Sequence, residues 1–203
     1  MNIILASKSP RRKEILEKLN IKFKIIESSI DENIVSKKIK PHYYCMKLAK
    51  IKCNDISNKF KESLIIGADT IVYHNKKILG KPKNKSDAIN QLTKLSDQTH
   101  IVYTGVSLNI HSKNIRYNFY DKSFVTFYNL SEKKIKYYIN HYEPYDKSGS
   151  YGIQDWSSIF VKKINGCYNN VVGFPLSKFY KLACNNYTIN NILKENGMKW
   201  KKK

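Results

Sequence analysis

The chain has few arginines for a protein with so much positive charge. Lysine and arginine together number 37 in 203 residues, against 16 acidic residues, yet only three of the 37 are arginines. Two of these three are adjacent, at Arg11 and Arg12, shortly after the apolar run 3–6. A guanidinium binds a phosphate or carboxylate through two parallel hydrogen bonds, which an ammonium cannot do. The turn from Ser7 to Arg12 therefore predicts an anion site, with phosphate as the favoured ligand.

Cysteine is also scarce, and no long apolar run is present. The four cysteines show no CxxC spacing and have no paired histidines nearby. No signal peptide precedes the first strand, so we expect reduced thiols and a cytoplasmic protein rather than disulfides. No apolar run approaches the roughly 18 residues that a membrane-spanning helix needs, so we expect no membrane partner.

The net charge of +21 points to a different class of protein. A basic chain with fifteen tyrosines suggests a nucleic-acid-binding protein, and this alternative predicts steeply salt-dependent binding. The lysines, however, are spread along the whole chain instead of being gathered on one helix or arm. We therefore interpret most of them as solvated surface that steers anionic substrates toward a site, and we do not expect a nucleic-acid partner.

Several common catalytic motifs are absent. The sequence contains no GxxxxGK[ST], GxGxxG, HExxH or GxSxG segment. The five histidines are scattered, and His100 is expected to be structural. No Ser-His or Cys-His arrangement for covalent catalysis is evident. These absences argue against a Walker-type phosphate loop and against a covalent enzyme intermediate.

Apolar patterning predicts a mixed α/β chain. Strands are predicted at residues 2–6, 22–27, 64–68, 70–79 (a short hairpin turning near Asn75), 99–111, 115–128 and 158–164. Helices are predicted from Pro10 to about Leu19, from Pro41 to about Ile56, from Ser86 to about Leu95, from Ser131, and over 169–183. Open α/β sheets bind their ligands at strand ends and in the turns that follow, which is where the charged motif residues fall.

Carboxylates follow two of the predicted strands. Asp69 comes at the end of the strand 64–68, and Asp31 and Glu32 come after the second strand. Magnesium takes one or two protein carboxylates together with substrate phosphates and water. The sequence therefore suggests a metal site at these positions, with an ordinary turn or an acidic loop as the alternative.

Two lysines and a glutamine complete the candidate set. Lys81 lies between a glycine and a proline that restrict the backbone, and Lys52 lies near the end of the long helix. Gln154 follows a Tyr-Gly-Ile segment, and its amide can both donate to and accept from the edge of a nucleobase. For each of these residues, the alternative is an ordinary side chain on the solvated surface with no role in a site.

Taken in order, a series of segments resembles the Maf family of nucleoside triphosphate pyrophosphatases. The segments are Leu5–Leu16 (LASKSPRRKEIL), Gly67–Val72 (GADTIV), Gly80–Pro82, Leu95–His100, Thr104–Val106, Tyr151–Gln154 and Gly166–Pro175. The resemblance covers about residues 3–182. It implies an α/β fold of the Maf/Ham1 type, with a mixed sheet flanked by helices and a central substrate cleft. It also implies one pyrophosphatase domain over residues 1–197, in two lobes, followed by a basic tail at 198–203.

The resemblance also implies a reaction and roles for the candidate residues. The reaction is hydrolysis between the α- and β-phosphates of a nucleoside triphosphate, with a divalent metal cation (Mg²⁺, Mn²⁺ or Co²⁺) as cofactor. Asp69 would be the general base and, with Glu32, a metal ligand. The implied phosphate-binding residues are Ser7, Arg11, Arg12, Lys52 and Lys81. A homodimer would be in keeping with the family.

Three positions bear on the choice of base. Arg11, Thr70 and Gln154 match the branch of the family that resembles dTTP/UTP pyrophosphatases. We therefore expect dTTP, UTP and modified pyrimidine analogues as substrates. One alternative is the same reaction on 7-methyl-GTP or another modified purine nucleotide, and another is a regulator that binds nucleotides without turning them over.

The chain departs from the family pattern directly after Gln154. Asp155, Trp156 and Ser157 replace a glycine-rich stretch there. Trp156 is expected to reshape the base pocket or to stack on a base. The departure leaves the predicted reaction intact and affects the range of substrates.

Overall fold

The structure is a computed structural model and describes residues 1–199. The chain divides into two compact units, each built from separate stretches of sequence. Unit 1 contains residues 1–69 and 104–121 and the chain from Gly173 onward, and unit 2 contains residues 70–103 and 122–172. Most of the predicted basic tail, residues 200–203, lies outside the described residues.

Seven strands form a mixed sheet within residues 1–199. They are β1 (Ile3–Leu5), β2 (Lys24–Ile25), β3 (Leu64–His74), β4 (Lys77–Leu79), β5 (Thr99–Ile110), β6 (Ile115–Phe127) and β7 (Val161–Asn165). The strand order is β2-β1-β3-β5-β6-β7, with β4 paired to β3. β1 is parallel to β2 and β3, whereas β4 is antiparallel to β3 and β7 is antiparallel to β6. The predicted α/β fold class is therefore confirmed.

Seven α-helices accompany the strands in the described part of the chain. They are α1 (Pro10–Glu17), α2 (Pro41–Lys59), α3 (Lys85–Leu95), α4 (Glu132–Tyr142), α5 (Tyr168–Val172), α6 (Leu176–Asn185) and α7 (Tyr187–Glu195). Short 3₁₀ helices lie at Glu32–Ile34, His111–Lys113, Pro144–Asp146, Ser148–Ser150 and Trp156–Phe160. None of the helices in residues 1–199 has both the length and the apolar character that crossing a membrane requires.

Helix starts follow the local chemistry of the sequence. Pro10 and Pro41 lie in the first turns of α1 and α2, where a missing N–H costs nothing. Ser131 caps α4 as predicted, because its side chain accepts a hydrogen bond from the backbone N–H of Lys134. Ser86, at the predicted start of α3, is not its cap: Asn84, two residues earlier, caps the helix by accepting from the backbone N–H of Asp87.

Close packing of α2 on the sheet organises unit 1. A Cβ atom at Gly67 would lie 2.5 Å from the Ala49 carbonyl oxygen, and one at Gly105 would lie 2.5 Å from the Cys45 carbonyl. Only glycine permits strand and helix backbones to approach this closely. Beside this contact, the buried core of unit 1 includes Ile4, Ala6, Cys53, Ile56 and Ile65, with Ile26 packed against it.

Aromatic side chains form much of the core of unit 2. Phe127, Tyr138 and Phe160 are fully buried. The Phe160 ring meets the rings of Phe127 and Tyr138 edge-on, with centroid distances of 6.0 and 5.3 Å. Such edge-to-face pairs add about 0.5–1.5 kcal/mol each beyond the area that they bury.

Asp69 does not terminate a strand, contrary to the prediction. β3 continues from Leu64 to His74, so Asp69 lies in its middle. The segment after Asp69 is Thr-Ile-Val-Tyr, whose β-branched and aromatic side chains favour an extended backbone. The turn near Asn75 was correctly predicted, and it connects β3 to β4.

Two further predictions about helices were wrong. The helix predicted over 169–183 is two helices, α5 and α6, because Gly173 adopts φ of 129° and Pro175 follows it. Lys52 lies in the interior of α2 instead of near its end, because α2 extends to Lys59. The last helix, α7, was not predicted. It begins after Asn186, whose side chain accepts from the backbone N–H of Ile189.

Candidate active site

The first candidate element is the turn between β1 and α1, in unit 1. Arg12 donates from Nη1 to the Ser7 hydroxyl at 2.9 Å and from Nε to the Gly173 carbonyl oxygen at 3.0 Å. These two bonds fix the plane of the guanidinium. Ser7 is buried, whereas Arg11 and Arg12 are partly exposed. The structure therefore brings Ser7 and Arg12 together, as the sequence pattern suggested for an anion site.

Lys52 lies between two carboxylates of the same unit. Its ammonium is 2.6 Å from Asp69 Oδ1 and 2.8 Å from Glu32 Oε1. The side chains of Asp69 and Lys52 are 9% and 14% exposed, while that of Glu32 is 43% exposed. Two predicted metal ligands and a predicted phosphate ligand thus form one charged cluster, which opens toward solvent at Glu32.

The glycine before this cluster explains how Lys52 reaches Asp69. Gly67 lies two residues before Asp69 on β3, and its absent side chain lets α2 pack directly on the strand. Lys52 lies three residues after Ala49, the residue whose carbonyl Gly67 approaches. A side chain at position 67 would separate the two elements that carry the ion pair. The Gly-Ala-Asp motif therefore has a packing role as well as a chemical one.

Burial and charge act in opposite directions on the cluster. Burial raises the pKa of Asp69 above its ordinary value of 3.8, while the positive charges of Lys52 and Arg12 oppose that rise. Burial also lowers the pKa of Arg12, and the charge of Asp69 opposes that shift. The Asp69 carboxylate and the Arg12 guanidinium therefore stabilise each other's ionised forms in a poorly solvated place.

The cluster suits a divalent cation that also binds phosphate. No group of three or more His, Cys, Asp or Glu side chains in residues 1–199 is arranged to hold a metal ion. Two carboxylates, however, converge on the Lys52 ammonium, so both already point at one positive charge. Magnesium commonly takes one or two carboxylates and completes its shell with phosphate and water. Asp69 and Glu32 fit that donor set.

Not every nearby charged residue joins the cluster. Asp31 accepts from the backbone N–H of Asn33 at 2.9 Å and so caps its own 3₁₀ turn. Lys50 is exposed and lines a different small pocket of unit 1, together with Arg116. The structure therefore distinguishes Glu32 from Asp31 and Lys52 from Lys50. The sequence pattern alone could not make this distinction.

The remaining predicted residues lie in unit 2. Thr70 directly follows Asp69 on β3, and its carbonyl oxygen accepts from the Ser148 hydroxyl at 3.0 Å. Lys81 and Gln154 are exposed. Lys81 follows Gly80, whose carbonyl oxygen accepts from the backbone N–H of Gly149 at 3.2 Å. Backbone contacts within unit 2 thus hold the segments that carry Thr70 and Lys81.

Sequence reasoning did not assign a role to Gly173 or Ser148. Gly173 supplies the carbonyl oxygen that orients Arg12. The sequence Gly-Phe-Pro is typical of a glycine with positive φ, which Gly173 has, but it does not indicate the contact with Arg12. Ser148 carries no such signal, because serine is common in turns of every kind.

Comparison with known proteins identifies the family. Residues 2–185 match the family described as Maf-like protein. The chain belongs to the Maf family. The family that its motifs resembled is therefore confirmed, and the Ser7–Arg12 turn and the Asp69 strand lie within the matched region.

Three similar curated proteins carry the same name. A dTTP/UTP pyrophosphatase from Thermosipho melanesiensis is 48% identical over 90% of this chain and 96% of its own length. A dTTP/UTP pyrophosphatase from Clostridium perfringens is 44% identical over 93% of this chain and 98% of its own length. Another from Clostridium tetani is 45% identical over 90% of this chain and 96% of its own.

A solved structure supports the fold. A HAM1 protein from Coxiella burnetii has a TM-score of 0.51 with this chain and is 11% identical to it. The similarity covers 92% of this chain and 100% of the other. At this identity it bears on the fold alone, and it agrees with the predicted Maf/Ham1-like architecture of a mixed sheet with helices.

Proposed function

We propose that this member of the Maf family hydrolyses dTTP, UTP and modified pyrimidine analogues to a nucleoside monophosphate and diphosphate. The observation that carries the proposal is the Lys52 ammonium held between Asp69 and Glu32, at 2.6 and 2.8 Å. A buried carboxylate, a second carboxylate and fixed cations are the parts that phosphoanhydride hydrolysis needs. The name shared by relatives at 44–48% identity supports the choice of substrates.

In this proposal the cations of unit 1 bind the triphosphate. Arg12 is oriented by Ser7 and Gly173, so its guanidinium is preorganised for a planar bidentate contact with phosphate oxygens. Arg11 and Lys52 add positive charge in the same unit. Charge placed in advance stabilises the negative charge that develops on the phosphates in the transition state. Lys81 is assigned to phosphate binding as well.

Asp69 is assigned as the general base. Its Oδ1 binds Lys52, which leaves Oδ2 to accept a proton from the attacking water. The oxygen of that water forms a bond to the α-phosphorus while the bond between this phosphorus and the bridging oxygen breaks. The bridging oxygen then leaves with pyrophosphate. Lys52 keeps Asp69 ionised before the reaction and balances charge after it.

A divalent cation (Mg²⁺, Mn²⁺ or Co²⁺) is assigned as the cofactor. Asp69 and Glu32 would hold it, in keeping with the two carboxylates that converge on one positive charge. Such an ion, when bound, neutralises phosphate charge and lowers the pKa of a bound water. Lys52, which contacts both carboxylates, would add positive charge for the phosphate oxygens.

Three residues are assigned to the choice of base. Arg11, Thr70 and Gln154 match the pyrimidine branch of the family, and the exposed amide of Gln154 can donate to and accept from a uracil or thymine edge. The single domain over residues 1–197 with its substrate cleft, the cytoplasmic location and the homodimer that the family suggests remain predictions.

The test is pyrophosphate release from a panel of nucleotides. The panel contains dTTP, UTP, 5-methyl-UTP, CTP, 7-methyl-GTP and ITP, each with Mg²⁺, Mn²⁺ or Co²⁺, and Asp69→Asn is the control variant. We expect turnover of dTTP and UTP, and a loss of about 10²- to 10⁴-fold in the variant, which keeps the shape of the residue but lacks a base. Turnover of 7-methyl-GTP or ITP alone would keep the reaction and overturn the assigned base. Absence of turnover with every nucleotide would favour a non-catalytic binder.

A further inference from the structure

The backbone of the Tyr-Gly-Ile-Gln segment is held by two buried hydroxyl groups. The N–H of Gly152 lies 3.2 Å from both the Tyr138 hydroxyl and the Ser157 hydroxyl. The Ser157 hydroxyl donates to the Gly152 carbonyl oxygen at 2.8 Å. The backbone N–H and the backbone carbonyl oxygen of Gly152 are therefore both hydrogen-bonded to side chains. Tyr138 and Ser157 are each 0% exposed, so water does not compete for these bonds.

Asp155 connects the two hydroxyl-bearing residues. Its Oδ2 accepts from the Tyr138 hydroxyl at 3.0 Å, and its Oδ1 accepts from the backbone N–H of Ser157 at 2.9 Å. We call Tyr138, Asp155 and Ser157 the clamp. A Cβ atom at Gly152 would lie 2.9 Å from Asp155 Oδ2, so glycine leaves room for the clamp to close.

Trp156 packs against the clamp and is partly exposed. Its ring lies near those of Tyr137, Tyr138, Tyr142 and Phe160, with centroid distances of 5.0, 6.2, 6.2 and 5.6 Å. It is nearly parallel to the Tyr138 ring, with an interplanar angle of 14°. Trp156 therefore supports the ring whose hydroxyl holds Gly152.

The residue before Gly152 is held as well. The Tyr151 hydroxyl lies 2.8 Å from Nε2 of His100, and both side chains are buried. Their rings also meet edge-on, with centroids 5.4 Å apart. Ile153 is buried, and Gln154 is the first exposed residue of the segment. Gln154 thus projects from a segment that is anchored on both sides, by His100 and by the clamp.

We infer that Tyr138, Asp155 and Ser157 are positioning residues for base recognition, because they fix the backbone that aims the Gln154 amide at a pyrimidine ring. The inference rests on the proposed function, in which Gln154 contacts the base. An amide held in advance loses less conformational freedom when the base binds, so affinity and selectivity both rise. The Asp-Trp-Ser sequence, which replaces a glycine-rich stretch of the family pattern, supplies two of the three clamp residues.

The experiment compares variants that remove one hydroxyl with controls that remove a hydroxyl elsewhere. Tyr138→Phe and Ser157→Ala each open the clamp. Tyr142→Phe, on the same helix, and Ser158→Ala, on an adjacent exposed residue, are the controls. We expect KM for dTTP and UTP to rise about 10-fold in each clamp variant, with kcat changed less than twofold, because a contact to a bound base is lost in ground and transition states alike. The controls should match the wild type.

A double variant separates a positioning role from a merely structural one. If the clamp acts through Gln154, Ser157→Ala should change the preference for dTTP over 7-methyl-GTP in the wild type but not in a Gln154→Ala background. Ser157→Thr, which keeps the hydroxyl, should restore the preference. An unchanged preference in Tyr138→Phe and Ser157→Ala, even with lower thermal stability, would overturn the inference.

The same data distinguish the inference from the function on which it rests. Absence of dTTP and UTP turnover by the wild-type protein would overturn the proposed function. Turnover by the wild type with a Gln154→Ala variant of unchanged preference would leave the proposed reaction standing, and would overturn both the base contact assigned to Gln154 and the inference. In a third outcome, the wild type turns over dTTP and UTP while Gln154→Ala and Ser157→Ala have additive effects on the preference for dTTP over 7-methyl-GTP. That result would likewise leave the proposed function standing and overturn the inference.

Discussion

The two units of this protein hold their candidate residues by different physical means. In unit 1, Lys52, Asp69 and Glu32 are held by opposite charges at 2.6–2.8 Å. In unit 2, the segment that carries Gln154 is held mainly by uncharged hydroxyl and backbone groups at 2.8–3.2 Å. The difference matches the tasks that we propose, since phosphate charge must be balanced by charge, whereas a pyrimidine edge is recognised by a correctly placed neutral amide.

This comparison also shows what each arrangement tolerates. A buried ion pair that loses one partner leaves an uncompensated charge, at a cost of about 3–5 kcal/mol. A buried hydroxyl that is removed leaves an unsatisfied backbone group, at a cost of about 1–3 kcal/mol. Unit 1 should therefore respond to substitution with large losses of rate, and unit 2 with smaller changes that appear mainly in selectivity.

The largest effect should follow from removing the cation of unit 1. Lys52→Met takes away the charge between Asp69 and Glu32, and we expect kcat/KM for dTTP to fall about 10²-fold, as for other single electrostatic contacts. Lys50→Met is the matched control, because Lys50 is on the same helix, is exposed and lies outside the cluster. Steady-state kinetics measures kcat/KM for both variants. Similar rates for the two variants would show that charge does not organise unit 1.

A second prediction compares one glycine from each unit. Gly67→Ala would place a Cβ atom 2.5 Å from the Ala49 backbone oxygen, so we expect the free energy of unfolding to fall by about 1–3 kcal/mol and activity to fall with it. Gly152→Ala would meet only the side-chain ends of Lys147 and Asp155, at 2.8 and 2.9 Å, and should cost less stability. Chemical denaturation gives both values. The reverse order would contradict the packing role assigned to Gly67.

A third prediction concerns the buried, uncharged contact between His100 and Tyr151 in unit 2. Burial lowers the pKa of His100 to about 3, with a smaller contribution from the charge of His74. His100 faces the Tyr151 hydroxyl and the edge of Phe127. Because the unfolded chain binds a proton that the folded chain excludes, His100 stabilises the fold above pH 6.5, and this contribution is lost as pH falls toward 3.

His100→Gln should remove that pH dependence. In the wild type, His100 should contribute a slope of up to about 1.4 kcal/mol per pH unit to the free energy of unfolding between pH 6.5 and 3. The slope should be smaller by that amount in His100→Gln and unchanged in His141→Gln, whose histidine is exposed. Chemical denaturation at several pH values measures this slope. Equal slopes in all three proteins would mean that His100 is accessible to protons.

The sequence was more informative about unit 1 than about unit 2. Arg11 and Arg12 could be recognised because arginine is rare in this chain, and Asp69 because a carboxylate directly follows a buried apolar run. The pairing of Lys52 with Asp69 could not be predicted, because it depends on how closely α2 packs at Gly67. With so many lysines, spacing alone did not distinguish Lys52 from Lys50.

The clamp could not be predicted for a related reason. Tyrosine and serine are common, and the chain contains fifteen tyrosines, so nothing in the pattern distinguished Tyr138 from the others. The Asp-Trp-Ser sequence was noticed only as a departure from the family pattern. Trp156 was expected to affect the base pocket directly, and the structure shows it packed against Tyr138. Long-range contacts such as Tyr138 with Gly152 become visible only in three dimensions.

The central claim is that the charged cluster around Asp69 directs water to the α-phosphorus. The most direct test is to let the protein hydrolyse dTTP in ¹⁸O-labelled water and to analyse the products by mass spectrometry. We expect dTMP and pyrophosphate, with one labelled oxygen in dTMP and none in pyrophosphate. Formation of dTDP and phosphate, or a label in pyrophosphate, would contradict it.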